Sequence, residues 1–185
     1  MVRRAAAATF VSLSLAPAML LAQAPSANPS TDAVKAQYRL VKAVLARTAA
    51  KVPEDLYAFK PTPEVRSLGE ILGHVADSQF AICSVAAGEK PPQSDIEKTK
   101  KTKADLSKAL SDSTAYCDQV LGQLDDTKGM AVVKFLDGPT PKLNVLTFNI
   151  AHDYEHYGNL VTYMRLKGIV PPSSEPQGRG GRGGE

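Results

Sequence analysis

The sequence predicts an all-α protein built on four helices, and three observations carry that reading. Apolar residues recur at steps of three and four in four separate stretches. Segments rich in proline and glycine, which cannot continue a helix, separate those stretches. Only one short run, VVKFL within residues 125–139, has the character of a strand.

Taken in order, the first 24 residues read as a secretory signal. Arg3 and Arg4 precede an apolar stretch, and Ala22-Gln23-Ala24 offers a small-x-small cleavage site. Export, to a periplasm, is the expectation. The alternative of a retained membrane anchor is weakened by Pro17 and by the Ala- and Ser-rich composition. Residues 25–30 read as a linker, and the domain is expected over 31–170. Thr31 and Asp32 open helix one, whose Val34, Tyr38, Val41 and Leu45 form one apolar stripe ending near Lys51. VPEDLYAFKPTPEVR, with three prolines, is a connection from which Leu56, Tyr57 and Phe59 pack back. Ser67 and Glu70 form a capping box for helix two, which Gly88 and Pro91-Pro92 close.

Ser94 and Glu97 offer a second capping box for helix three, and the run EKTKKTK behind it reads as a solvated face. Leu106, Leu110, Ser113, Cys117, Val120 and Leu124 form its inward stripe. A long loop follows over 125–139. For helix four, Thr140 is the expected cap, Pro141 the first helical residue and Gly168 the exit, with Pro171-Pro172 preventing resumption. Residues 171–185, polar and rich in Gly and Arg, form an unordered tail.

Composition narrows the function classes. The chain carries 22 Lys and Arg against 19 Asp and Glu. Without Arg3 and Arg4 the balance falls to about +1, which argues against nucleic acid as a partner. No second long apolar segment follows the leader, so no membrane association is expected after its removal. Cys83 and Cys117 fall on different helices of an exported chain. A disulfide and a pair of buried free thiols both remain open from sequence.

The chain's three histidines all lie in two of these helices: His74 in helix two, His152 and His156 in helix four. Four residues apart on a helix, His152 and His156 project about 40° apart and can address one ion. His74 can complete a three-nitrogen set from its own helix. Neutral imidazoles suit zinc, nickel, copper or iron, and three protein ligands leave a coordination position open, as in catalytic zinc sites. The competing account is a set of core histidines satisfied by other partners, since H-x-x-x-H also arises by chance.

Helical projection places Val145, Asn149, Asn159, Phe148 and Tyr163 within about 60° of His152. Ile71, Ser78, Ala81 and Val85 share the side of His74, whereas Cys83 points nearly opposite. Asp77, Asp153 and Glu155 flank the histidines closely enough to reach the rim of the site, where a ligand histidine gives up its other N–H. A ferritin-like di-metal site needs two Glu-x-x-His motifs, and these are absent; so is Cys-x-x-Cys-His for haem.

Two phrases, FKPTPEVRSLGEILGHVADSQF and AHDYEHYGNLVTYMRLKG, resemble the loop with second helix and the fourth helix of the DinB-like (DinB/YfiT-like) metalloenzyme family. The resemblance spans about Thr31 to Gly168. It implies an antiparallel four-helix bundle, often homodimeric, holding a divalent metal, usually zinc or nickel, through His74, His152 and His156 in a cleft between helices. Family relatives include transferases and isomerases that use bacillithiol or mycothiol. Those thiols are cytosolic, and a chain with an export leader departs from that pattern. On this reading the protein is a metal-dependent hydrolase or thiol-type transferase with a small-molecule substrate. Glu70 and Tyr163 are its candidate catalytic residues, and Asn149 and Ser78 join them in shaping the pocket. The alternative is a metal-binding or stress-response interaction protein without turnover.

Overall fold

In the computed structural model of the chain, residues 26–176 are described; the expected leader and residues 177–185 of the expected tail lie outside them. The elements are α1 (Pro29–Lys51), α2 (Leu68–Ala87), α3 (Ile96–Thr99), α4 (Lys103–Gly122), α5 (Asp126–Gly129), β1 (Val132–Phe135), β2 (Gly138–Pro141) and α6 (Lys142–Leu166). The four long helices form an all-α bundle, and β1 and β2 add a small antiparallel hairpin in which Val132 pairs with Pro141 and Phe135 with Gly138. No helix among the described residues is long and apolar enough to cross a membrane.

Most helix ends follow the local chemistry of the sequence. Ser67 Oγ accepts from the Glu70 amide at 3.1 Å while Glu70 Oε2 accepts from the Ser67 amide at 2.8 Å, completing the capping box. Gly88 and Gly168 close α2 and α6 with φ of 81° and 71°, a left-handed turn that a Cβ would penalise. Leu56, Tyr57 and Phe59 pack back on the core, and the Tyr57 hydroxyl donates to the Ala49 carbonyl at 2.8 Å.

Four boundaries differ from expectation. Helix α1 starts at Pro29, inside the expected linker, because proline suits a first helical turn. The second capping box does not form: α3 is a single turn with Asp95 in the left-handed region at φ 60°, and α4 begins at Lys103, where Thr102 Oγ1 accepts from the Asp105 amide. The Glu97 carboxylate needed for that box is bonded elsewhere, to His74 and Arg66. Thr140 and Pro141 belong to β2 instead of helix four, their backbones being committed to the hairpin. The start of the expected tail is docked, since the Ser173 amide donates to the Tyr157 hydroxyl at 2.9 Å and Glu175 pairs with Lys51 at 2.5 Å.

Helix direction follows from which residues meet. Lys103 Nζ reaches the Val52 carbonyl, Lys42 pairs with Asp118 and Lys35 reaches the Leu124 carbonyl, so α1 and α4 are antiparallel. Tyr163 meets Arg66, His152 meets His74 and Asp153 meets Gln79, so α2 and α6 are antiparallel as well. The other two neighbouring pairs run parallel. Leu106 lies against Gly69 and Gly73, Ser113 bonds Gln79, and Cys117 is joined to Cys83, so the contacts climb α2 and α4 together. Helices α1 and α6 also share a direction, with Lys51 at the end of α1 reaching the Val170 carbonyl just beyond α6.

The core is filled by Tyr38, Val41, Leu45, Leu72, Val75, Phe80, Leu106, Val145, Leu160 and Met164, all nearly inaccessible. Helix α2 is buried on most sides because α3, α4 and α6 all pack on it. The Cys83–Cys117 disulfide resolves the alternative left open by the sequence: the two Cα atoms lie 5.5 Å apart, within bridging range.

That bridge spans 34 residues, and a loop of this size stabilises by about 4 kcal/mol in the chain-entropy account. Replacing both cysteines by serine is expected to lower the thermal midpoint by roughly 10 °C. Calorimetry of the oxidised protein and the double variant checks this, and equal midpoints would show the bridge to be energetically idle.

Candidate metal centre

The spacing of His152 and His156 gives both a common face of α6, and the antiparallel approach of α2 brings His74 onto it. His74 Nε2 lies 3.3 Å from His152 Nε2, and His156 Nε2 lies 3.1 Å from the same atom. Three tetrahedral ligand nitrogens, each about 2.05 Å from a zinc-sized ion, would be separated by about 3.3 Å. The rings stand edge to face or tilted, with centroids between 4.4 and 5.2 Å apart.

Proton bookkeeping supports the same fit. A neutral imidazole has one N–H and one lone pair. Nδ1 of His152 and of His156 are both buried without a hydrogen-bond partner, while the three Nε2 atoms crowd one another. When each Nδ1 carries the proton, three Nε2 lone pairs converge at this distance and repel one another unless a cation lies among them. The residues therefore fit a divalent metal, and His74, His152 and His156 form the one cluster of three metal-type ligands among the described residues.

The electrostatics favour neutral ligands. Burial first, then the neighbouring His156 and His74, hold His152 down to about 4. Burial, then the charges of His74 and Arg66, hold His156 at about 4 as well. An uncharged imidazole is the form that ligates metal.

Around the histidines the walls differ. The Phe148 ring stacks beside His152 at 6.5 Å, and Phe135 of β1 packs edge-on against Phe148 at 5.2 Å, so one side is apolar. On the other side a cavity of about 450 Å³ is lined by Arg66, Glu97, His156, Asn159 and Tyr163 among others. Glu97 Oε2 lies 3.1 Å from His74 Nδ1, and Glu97 Oε1 accepts from Arg66 Nε at 2.8 Å.

Several expected rim residues sit elsewhere. The Glu70 carboxylate is occupied by the Ser67 cap and by Lys60 at 3.0 Å, away from the histidines. Tyr163 does line the cavity, and its hydroxyl donates to the Arg66 carbonyl at 3.0 Å. Asn149 is buried beside Asp153, and Ser78 is half-buried on α2 outside the cavity lining. Asp77 accepts the amides of Ile96 and Glu97, each at 2.9 Å, and Glu155 is exposed.

Asp153 points into the core, where Gln79 Nε2 donates to it at 2.9 Å and Gln79 Oε1 in turn accepts from Ser113 at 2.8 Å. Sequence reasoning missed Glu97 and Arg66. Glu97 lay in a charged run with the look of solvated surface, and no spacing tied it to a histidine.

Opposite pH responses are expected from the two kinds of buried group in the metal-free protein. For His152 and His156 the folded value lies below the ordinary 6.5, so their stabilising effect is present above that and fades as pH falls toward 4. For Asp153, burial pushes the carboxyl up to about 7 from 3.8, the Gln79 bond opposing this. Its contribution is present below 3.8 and lost as pH rises through about 7. Asp153→Asn is therefore expected to raise stability at pH 8, by about 4 kcal/mol at most, and to change it little at pH 5. Urea denaturation at the two pH values measures this, and a loss at pH 8 would mean the ionised carboxylate is stabilising.

Comparison with known proteins identifies the family. The family model of the DinB superfamily matches residues 37–160. No curated protein sequence matches the chain. Among solved structures, a DinB-like protein from Bacillus cereus superposes with a TM-score of 0.68 at 15% identity, covering 76% of this chain and 95% of that one. A DinB-like protein from Bacillus subtilis gives 0.62 at 22% identity, covering 75% and 94%. The mycothiol-dependent maleylpyruvate isomerase gives 0.57 at 15% identity, over 72% of this chain and 65% of the isomerase. At such identities these structures speak to the fold, while the family match runs from α1 into α6 and takes in all three histidines, so the chain belongs to the DinB superfamily.

Proposed function

We propose that this protein is an exported, metal-dependent enzyme, a hydrolase or thiol-type transferase, that uses zinc or nickel held by His74, His152 and His156 to act on a small molecule. The observation that carries the reading is the convergence of three Nε2 atoms, 3.1 and 3.3 Å apart in their two closest pairs, beside a cavity reaching His156. When bound, such a metal supplies a Lewis-acid centre that makes a water or thiol strongly nucleophilic near neutral pH.

The chain's own groups define the approach. Phe148 and Phe135 give the His152 side an apolar, partly exposed wall. A small molecule entering the cavity meets His156, the Arg66 guanidinium and the Glu97 carboxylate. Tyr163 anchors the backbone of Arg66 through its hydroxyl and so fixes where that guanidinium starts from. One structural relative is a mycothiol-dependent isomerase, which lends support to the thiol-type branch. Export favours the hydrolytic branch, because the leader and the buried Cys83–Cys117 bridge both suit an oxidising compartment.

A second reading, metal binding without turnover, has one observation in its favour. Glu97 is committed to His74 and Arg66, and the Tyr163 hydroxyl to a backbone carbonyl, so the cavity holds few uncommitted acid–base groups. A metal-loaded protein that exchanges a bound water for azide or a small thiol has the open position that turnover requires; one that does not supports this second reading.

Two measurements test the proposal. Metal analysis of the purified protein is expected to give one equivalent of zinc or nickel per chain and background levels in His152→Ala; no bound metal even after incubation with either ion would sink it. Mass spectrometry of the protein recovered from the extracytoplasmic fraction is expected to find Pro25 as the first residue, and an intact Met1 in the cytoplasm would refute export.

A further inference from the structure

Resting on the metal reading above, we infer that Glu97 is a positioning residue for His74, delivered by the chain between α2 and α4 acting as a strap that Asp77 and Gly73 lock across α2. Of the three histidines, His74 is the one whose Nδ1 faces a carboxylate; Nδ1 of His152 and of His156 have no partner. Glu97 Oε2 accepts the Nδ1–H of His74 across 3.1 Å, which puts the ring's lone pair on Nε2, the atom that faces His152. The other oxygen, Oε1, accepts from Arg66 Nε at 2.8 Å, so the carboxylate is gripped from both sides.

Nothing in the local sequence places Glu97 there; the strap does. Both oxygens of Asp77, one turn beyond His74, accept the amides of Ile96 and Glu97 at 2.9 Å. They serve as the cap that the neighbouring Ser94 does not supply. Ile96 is 2% exposed and seats the strap in the core. Gly73, the residue before His74, allows the crossing: a Cβ there would lie 2.8 Å from the Glu97 Cα, a backbone atom with no freedom to retreat. Lys101 Nζ adds a bond to the Glu97 carbonyl at 3.0 Å. A carboxylate held in this way fixes one tautomer and one ring orientation, which is what a ligand histidine needs from its outer partner.

The test uses the full chain, with zinc as the probe. Affinity is measured by competition with a chromophoric chelator, and the His74 tautomer by imidazole nitrogen NMR on the metal-free protein. Glu97→Ala is expected to weaken zinc about 10- to 100-fold and to release His74 from the Nδ1–H tautomer. Glu97→Gln, which keeps an acceptor oxygen and the side-chain shape, is expected to fall between Ala and the parent. Asp77→Ala should weaken zinc by a smaller factor, and the Asp77→Ala, Glu97→Ala double variant should be no weaker than Glu97→Ala alone, because Asp77 acts through Glu97. Additive losses in the double variant overturn the strap, and unchanged zinc affinity with an unchanged tautomer in Glu97→Ala overturns the positioning role. Should Glu97→Ala fail to fold, Glu97→Leu, which keeps bulk but offers no acceptor, with parental affinity and tautomer likewise overturns it. If the parent protein binds neither zinc nor nickel, the metal reading fails, while the tautomer of the metal-free protein still decides whether Glu97 positions His74.

Discussion

Helices α2 and α4 run in the same direction and are joined by Cys83–Cys117, so the chain between them has to travel back along α2 before α4 can begin. A 20-residue helix is about 30 Å long, and the intervening segment covers that return by folding against α2 instead of looping through solvent. The consequence is chemical as well as topological. A segment that would otherwise be a surface connection passes the only place on α2 where a glycine precedes a histidine, and leaves a glutamate there.

The same packing runs a polar seam through an otherwise apolar bundle. On one side of the α2–α6 contact lie the three imidazoles; on the other lie Asp153, Gln79 and Ser113, all nearly inaccessible. Buried polar groups stabilise little in net terms and are costly when left unpaired. What they do provide here is register. Sliding α6 by one turn against α2 would separate Asp153 from Gln79 and His152 from His74 together. The core network and the histidine cluster therefore select the same alignment, and each makes misalignment costly for the other.

Much of the fold was legible in the sequence because its signals are local. The stripe from Val34 to Leu45, the Ser67–Glu70 box and the exits at Gly88 and Gly168 depend on periods of three to four residues and on the conformational range of single residues. Where tertiary demands competed, local signals gave way. The Ser94–Glu97 box lost its glutamate to His74, and Thr140 lost its capping role to a hairpin ladder. The candidate site followed the same division. His152 and His156 share a face by helical geometry alone, whereas Asp153, placed at the rim by projection, turns to a partner on α2 that no spacing could identify.

By itself, then, the sequence determined four helices, most of their ends and three imidazoles set on inward faces, since each of these follows from backbone geometry over a few residues. Tertiary structure alone decided that α4 runs parallel to α2, that Cys83 meets Cys117, that His74 arrives within 3.3 Å of His152, and that a lysine-rich stretch supplies the carboxylate beside it. Those outcomes depend on which distant segments exclude water from one another, and burial between segments far apart in the chain leaves no periodic trace in either of them.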